Sequence, residues 1–318
     1  MPEQGTSGPC PLTACTALLP TYNGETFLSE QLDSCLAQPG LRILARDDCS
    51  DDSTFAILRE YQERHRERIG AHRGERLGVM GNVEWLLSRF DTPYFALADQ
   101  DDVWEEHKLT RLRETMRHLE LRFGTGKPLL VYSDASLTDG GGKRVAPSYF
   151  ASAGIPPEWG ESFRNALVMS PAPGCTMMGN RALARAALPF PGLMFMHDWW
   201  LLLVANALGG VRVVHAPLVR YRQHGTNLLG AAAWNFRTFV RKCLAGPANS
   251  RRNIRLTQQQ ALSLLEHCGE AMPDAERRLC EVWAAMPGKP WVQRVRASLA
   301  YGFAKPGRVR NMLFYLCN

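Results

Sequence analysis

The sequence contains no CxxC pair, no GxGxxG, no GxxxxGK[ST], no internal repeat and no apolar run long enough to cross a bilayer. Each absence removes a class of protein. The nine cysteines (Cys10, Cys15, Cys35, Cys49, Cys175, Cys243, Cys268, Cys280 and Cys317) are scattered and odd in number. They read as reduced thiols, mostly small buried hydrophobes, with neither a disulfide framework nor a zinc site. Without the two glycine-rich signatures, neither the dinucleotide fingerprint nor the P-loop is available, so any phosphate has to be held by other means. The longest apolar runs, such as Trp199 to Leu208, are about half of the roughly 20 residues that a spanning helix needs. The opening MPEQGTSGPCPL lacks the basic start and apolar block of a secretory signal, so a cytoplasmic chain is expected.

What is present is the balance of a folded protein: 318 residues, 45% hydrophobic and 21% charged, enough to bury a sizeable core. The net charge of +6 is unevenly spread, because 14 Lys and Arg but only 5 Asp and Glu lie from Ala231 onward. One catalytic-sized domain over residues 12–230, followed by a basic, mainly helical extension over 231–318, is the expected organisation.

Thr13 to Leu19 and Leu41 to Ala45 are short apolar runs of strand type. Between them Phe27, Leu28, Leu32 and Leu36 recur at helical spacing before Pro39 and Gly40, which completes a β-α-β unit. The alternation continues with helices at Ser53 to Arg64, Gly81 to Phe90 and Leu109 to Leu121, and strands at Tyr94 to Ala98 and Leu129 to Ser133. It predicts an α/β fold with a mostly parallel central sheet flanked by helices. Thr138 to Pro173, rich in Gly, Pro and Ser, reads as turns and loops. A helix over Met196 to Ala207 and strands at Val211 to His215 and Leu218 to Tyr221 follow, and the tail reads as short helices.

Ligands of such sheets collect beyond the carboxyl ends of the strands, and three predicted strands end in polar groups there: PTYNG, RDDCSDDS and DQDD. Asp99, Asp101 and Asp102 place three carboxylates in four residues. Their mutual repulsion is relieved by a hard divalent cation taking oxygen ligands, and Mg²⁺ completes its shell with water and phosphate oxygens. A solvated helix start is the plainer alternative, since Asp is favoured there. Asp48 is a candidate acceptor for a nucleobase or ribose, whereas Asp51 and Asp52 are more simply helix-start residues.

PTYNG, the paired acids after the second strand, G-x-x-x-N at Gly78 to Asn82 and DQDDVW together resemble family 2 glycosyltransferases, which have a nucleotide-sugar-binding GT-A fold. PAPGCTMMGNRAL from Pro171, MHDWW from Met196 and YRQHGTN from Tyr221 are similar to the bacterial rhamnosyltransferase-like branch of that family. The likeness runs in unbroken order from Ala17 to Asn227. It implies that Pro20, Tyr22 and Asp48 line the base and ribose pocket, with Asn23 in the same PTYNG segment. It implies that Asp99 meets ribose or the metal, that Asp101 ligates the metal, Mg²⁺ or Mn²⁺, and that His224 reaches metal or pyrophosphate unless it is a surface loop histidine. Arg222 would neutralise phosphates, and Asn82 would shape the donor pocket or cap a helix. Gly174, Cys175 and Asn180 would fall where relatives close around sugar and acceptor. The chain departs from the family pattern at Arg76, where Asn is frequent, and at Glu105-Glu106-His107, where a Pro is common.

An inverting transfer needs a base for the acceptor hydroxyl and stabilisation of the departing diphosphate. The resemblance assigns the base to Asp198, which the neighbouring Trp199 and Trp200 would desolvate, raising its pKa. A helix N-cap is the alternative reading. The expected partners are a dTDP-, UDP- or GDP-linked sugar donor, carrying rhamnose or another deoxyhexose, and a glycan or lipid-linked acceptor of the cell envelope. A nucleotide-sugar-binding protein without turnover is the second reading. The basic tail, with Trp234, Phe236, Phe239, Trp291 and Phe314, predicts peripheral contact with the inner membrane; no nucleic-acid motif accompanies the charge.

Overall fold

The computed structural model describes residues 14–224 and 247–318. Thr13, Gly225 to Asn227, Trp234, Phe236, Phe239 and the expected boundary after residue 230 lie outside the described residues.

The first strand, β1 (Cys15–Thr21), is followed by α1 (Leu28–Leu36), β2 (Leu41–Asp47), α2 (Thr54–Arg64), β3 (Ile69–Arg73), α3 (Gly78–Leu87) and β4 (Tyr94–Leu97). These four strands pair in parallel in the order β3-β2-β1-β4. Short, nearly uniformly apolar strands separated by amphipathic helices can bury both faces only this way. Leu18 points into the cluster below the sheet that includes Val83 of α3, whereas Ala17 and Leu19 face Leu28 and Leu32 of α1 on the other side, the period-two alternation of a strand.

The chain continues through β5 (Val103–Trp104), α4 (Lys108–Phe123), β6 (Leu129–Asp139), β7 (Arg144–Ala146), α5 (Tyr149–Ala153), α6 (Phe163–Val168), β8 (Met177–Asn180), α7 (Arg181–Ala187), α8 (His197–Leu208) and β9 (Gly210–Gln223). The sheet extends β4-β8-β6-β9-β5. Antiparallel pairs enter with β8, which lies between β4 and β6, while β6 and β9 are parallel. The α/β class with helices on both faces is therefore what the chain adopts.

Three local expectations need correction. The two strands expected near residue 211 and residue 218 are one strand, β9, whose register against β6 shifts near Ser133 and Asp134, opposite Pro217. A proline cannot donate to a ladder, so the strand bends there instead of ending. The segment from Thr138 to Pro173 holds β7, α5 and α6 in addition to turns. In the tail, α9 (Pro247–Cys268) runs for 22 residues and is not short. It is followed by α10 (Asp274–Ala284), α11 (Trp291–Tyr301) and α12 (Arg308–Cys317). The prolines Pro273, Pro290 and Pro306 sit between helices, where their fixed φ suits a helix start or a turn.

The tail shares its core with the sheet domain. Ile254, Leu264, Trp283, Phe303 and Phe314 belong to the same buried cluster as Trp200 and Leu203 of α8. Phe314, expected at a membrane surface, is buried, with its ring stacked 5.9 Å from that of Trp283.

Candidate active site

The strand register brings the polar ends together. Thr21 at the end of β1 stands opposite Asp47 at the end of β2, and β4 ends beside β1 with Leu97 opposite Leu18. The chain after β4 crosses the carboxyl edge as Asp99-Gln100-Asp101-Asp102 and is fixed there because Val103 and Trp104 pair antiparallel with Arg220 and Val219 of β9. That pairing carries Arg222 and His224 to the acids: the Arg222 backbone N–H donates to Asp102 Oδ1 at 3.0 Å, and His224 Nε2 lies 2.7 Å from Asp101 Oδ2.

Ligand atoms of Asp99, Asp102 and Cys175 lie within 4.8 Å of one another. Burial, with the charges of Asp101 and Asp198 beside it, pushes the Asp99 carboxyl up to about 7. Burial and then Asp99 and Asp101 push Asp102 well above the usual carboxylate range. Asp102 Oδ2 is buried without a hydrogen-bond partner among the described residues. These observations fit a divalent cation: oxygen donors held close, unable to ionise together without positive charge, and one acceptor left over. Cys175 lies against them as a neutral thiol, since burial raises its pKa far above the ordinary value. A protonated thiol is a poor ligand for a hard cation and no nucleophile.

Asp198 lies near this cluster. Its charge is felt by Asp99 and by the Tyr149 phenol, which burial pushes up to about 12. Gly174 sits against it so closely that a Cβ there would stand 3.2 Å from the Asp198 Cβ. The small residue lets the turn over Gly174–Thr176 approach the carboxylate. The neighbouring tryptophans are tied into the core: Trp199 Nε1 donates to the Ala166 carbonyl at 2.6 Å and Trp200 Nε1 to that of Ala187 at 3.0 Å. Both rings are core anchors. Among the described residues the Asp198 side chain accepts from the following N–H, that of Trp199, at 2.7 Å.

Tyr22 is held by a residue that sequence reasoning passed over. Gln100 accepts from the Tyr22 N–H and donates to its carbonyl, each at 2.9 Å, tying the end of β1 to the acidic loop. The Tyr22 ring lies under the Arg76 guanidinium, 4.1 Å from its centre, so the departure at Arg76 falls against Tyr22. Pro20 pairs with Arg46 in the β1–β2 ladder. Asn23 adopts φ 47°, a conformation Asn tolerates, and its side chain accepts from Asp51 N–H at 3.1 Å.

Several residues expected at the ligand have hydrogen-bond partners within the fold. Asp48 accepts from Arg46 Nη1 and the Leu77 and Gly78 N–H groups, each at 2.8 Å, and so organises the start of α3. Asn82 lies inside α3, not at its cap, with Nδ2 donating to the Arg46 carbonyl at 3.1 Å. Asn180 caps α7 and pins the loop before β6. The Arg222 guanidinium is a strut: it donates to the Asp101 carbonyl at 2.8 Å and to Glu30 at 2.5 Å, over the Phe27 ring.

Lys108 was also missed. It is fully buried, donates to the Cys175 carbonyl at 2.6 Å and lies 3.5 Å from the centre of the Trp104 ring. Burial lowers its pKa to about 8, although Asp102 and Asp99 oppose the drop. The signal was present: Lys108, Leu112, Met116 and Leu119 share the buried face of α4, so the lysine stands at a core position of the helical period.

Residues 16–132 match the model of Glycosyl transferase family 2. This stretch of the chain is similar to that family of transferases. The processive diacylglycerol beta-glycosyltransferase of Mycoplasma pneumoniae is 34% identical over 93 residues, 28% of this chain and 27% of that protein. The putative teichuronic acid biosynthesis glycosyltransferase TuaG of Bacillus subtilis is 31% identical over 38% of this chain and 50% of its own length. The chain therefore spans half or less of these two relatives. The dTDP-rhamnosyl transferase RfbG of Shigella flexneri is 24% identical over 66% of this chain and 73% of its own. Among solved structures, residues 1–349 of S. aureus TarS with UDP-GlcNAc superpose with a TM-score of 0.55 at 14% identity, over 91% of this chain and 73% of that one, a likeness of fold.

Proposed function

We propose that the protein is an inverting, divalent-metal-dependent glycosyltransferase that moves a sugar from a nucleoside-diphosphate donor to a glycan or lipid-linked acceptor of the cell envelope. The observation that supports this reading is the cluster of Asp99 and Asp102 against Cys175 at the sheet edge, with Gly174 of the same turn lying against Asp198. Asp99 and Asp101, with Asp102 beside them, would hold Mg²⁺ or Mn²⁺. The cation supplies electrostatic stabilisation of the diphosphate as it leaves. Asp198 takes the proton of the acceptor hydroxyl as its oxygen bonds to the anomeric carbon. The bond from that carbon to the diphosphate oxygen breaks on the opposite face, and its electron pair departs with the nucleoside diphosphate, which inverts the centre. Tyr22, backed by Gln100 and Arg76, offers the base a flat wall. The likeness to RfbG, and to the rhamnosyltransferase-like branch, favours a dTDP-linked deoxyhexose among possible donors.

Release of nucleoside diphosphate from a panel of dTDP-, UDP- and GDP-sugars, with and without Mn²⁺ or Mg²⁺, tests the proposal. Metal-dependent release from one donor class, abolished in Asp198→Asn, is expected. Binding of a donor without turnover under any of these conditions would make the chain a binding protein instead.

A further inference from the structure

The last helices carry a surface that the transfer chemistry does not use. From Val282 to Asn318 the sequence has no Asp or Glu and six Lys and Arg. A cavity of 440 Å³ opens between α9, α11 and α12, lined by Arg251, Arg255, Arg294, Trp291 and Leu316, with no acidic side chain in its wall. The Arg294 Nε is buried without a hydrogen-bond partner among the described residues. Beside this basic pocket the helices show apolar residues to solvent. Val309, Met312 and Leu316 are 48%, 55% and 55% exposed, and their spacing of three and four residues places them on one face of α12. Trp291, Val292 and Leu299 of α11 are exposed as well, and Trp291 Nε1 donates to the Tyr315 carbonyl at 2.9 Å, locking the two helices side by side. Exposed apolar residues aligned on adjacent helices mark an interaction surface.

We infer that the arginine pocket and the apolar face of α11 and α12 form a docking surface for a bilayer rich in anionic phospholipid, with headgroup phosphates at Arg251, Arg255 and Arg294 and the apolar side chains in the interface. Charge decides among occupants. A second copy would bring the same positive face against itself, which like charges oppose. The segment 225–246 carries Arg237, Arg241 and Lys242 and no acid, so it does not complement the pocket. A nucleic acid would suit the arginines but not an aliphatic stripe, because bases stack on aromatic and guanidinium faces. An anionic membrane matches both halves, the combination that holds interfacial helices. The inference deepens the peripheral membrane contact expected of a lipid-linked acceptor and stands independently of the transfer reaction.

The test is co-sedimentation of the full chain with vesicles of phosphatidylcholine alone or with phosphatidylglycerol added. The wild-type protein should pellet with the phosphatidylglycerol vesicles, be released by salt, and remain in solution with phosphatidylcholine. Arg251→Gln with Arg255→Gln, and separately Met312→Ser with Leu316→Ser, should each lower the partition coefficient at least tenfold. Leu121→Ser, at a 78% exposed site on α4, should leave it unchanged. Thermal melts and donor hydrolysis in solution, unaltered in these variants, keep a membrane defect distinct from misfolding or loss of transfer chemistry. Equal sedimentation with both vesicle types, undiminished binding by both double variants, or a concentration-dependent dimer abolished by Met312→Ser with Leu316→Ser in place of vesicle binding would overturn the inference.

Discussion

Asp198 and the acids of the DQDD loop have opposite expected responses to substitution. Asp198→Asn keeps the shape and removes the proposed base, so turnover should fall by about 10²–10⁴ with donor affinity, read by calorimetry, little changed. The Asp99 carboxyl supplies a pH signature. Its folded pKa, about 7, lies above the roughly 4 of an unfolded carboxyl, so between these values the metal-free native state holds more protons than the unfolded chain. Its stability therefore falls as pH rises through that window. A divalent cation displaces those protons, and the melting-temperature gain from Mn²⁺ should be larger at about pH 8 than at about pH 5. An equal gain at both would contradict the buried-carboxylate site. At this scale Asp99, Asp101 and Asp102 stood out because three carboxylates in four residues repel one another, whereas Asp198, a plain helix start by itself, stood out only through the family resemblance. Gln100 and Lys108 were not read: a neutral amide between two acids and a lysine just before Leu109 look like surface residues until pairing and burial are known.

Among the elements, β5 and β9 make the site. Two residues of β5, pinned to β9, decide where the acids stand, and Arg222 braces them from the end of β9. Arg222→Ala removes donors to Asp101 and Gly140 carbonyls and should destabilise the fold by about 2 kcal/mol, read by urea denaturation. It should also weaken Mn²⁺ binding more than a surface arginine substitution of equal cost. The β-α-β alternation and the ends of β1, β2 and β4 were readable from apolar runs and their polar termini. The continuity of β9 through Pro217 was not, because proline ordinarily marks a strand's end and only the pairing with β6 shows otherwise. The intramolecular partners of Asp48 and Asn82 were not readable for a similar reason, as Arg46 and the backbone at residues 77 and 78 are assembled by the crossover through β3.

Across the molecule the C-terminal helices are part of the body. Trp283 is fully buried, with Phe303 at 4.9 Å between ring centres, in the cluster that also holds α8, the helix that presents Asp198. Trp283→Ala should cost about 3–5 kcal/mol and lower the midpoint of one shared unfolding transition followed by both near-ultraviolet signal and activity. Two separate transitions would show the tail to be independent. Composition revealed the tail's charge and helical character. Which apolar residues face inward was hidden, since Phe314 and Met312 are both compatible with either face until the helices are packed.

The most direct measurement is calorimetric titration of the donor nucleoside diphosphate and Mn²⁺ into the wild type, Asp101→Asn and Asp198→Asn, with turnover followed in parallel. The proposed roles, metal ligand for Asp101 and base for Asp198, predict that Asp101→Asn loses metal-dependent nucleotide binding and turnover together, and that Asp198→Asn binds as the wild type does and turns over at least a hundredfold more slowly. Wild-type turnover in Asp198→Asn, or metal-dependent binding undiminished in Asp101→Asn, would contradict the account.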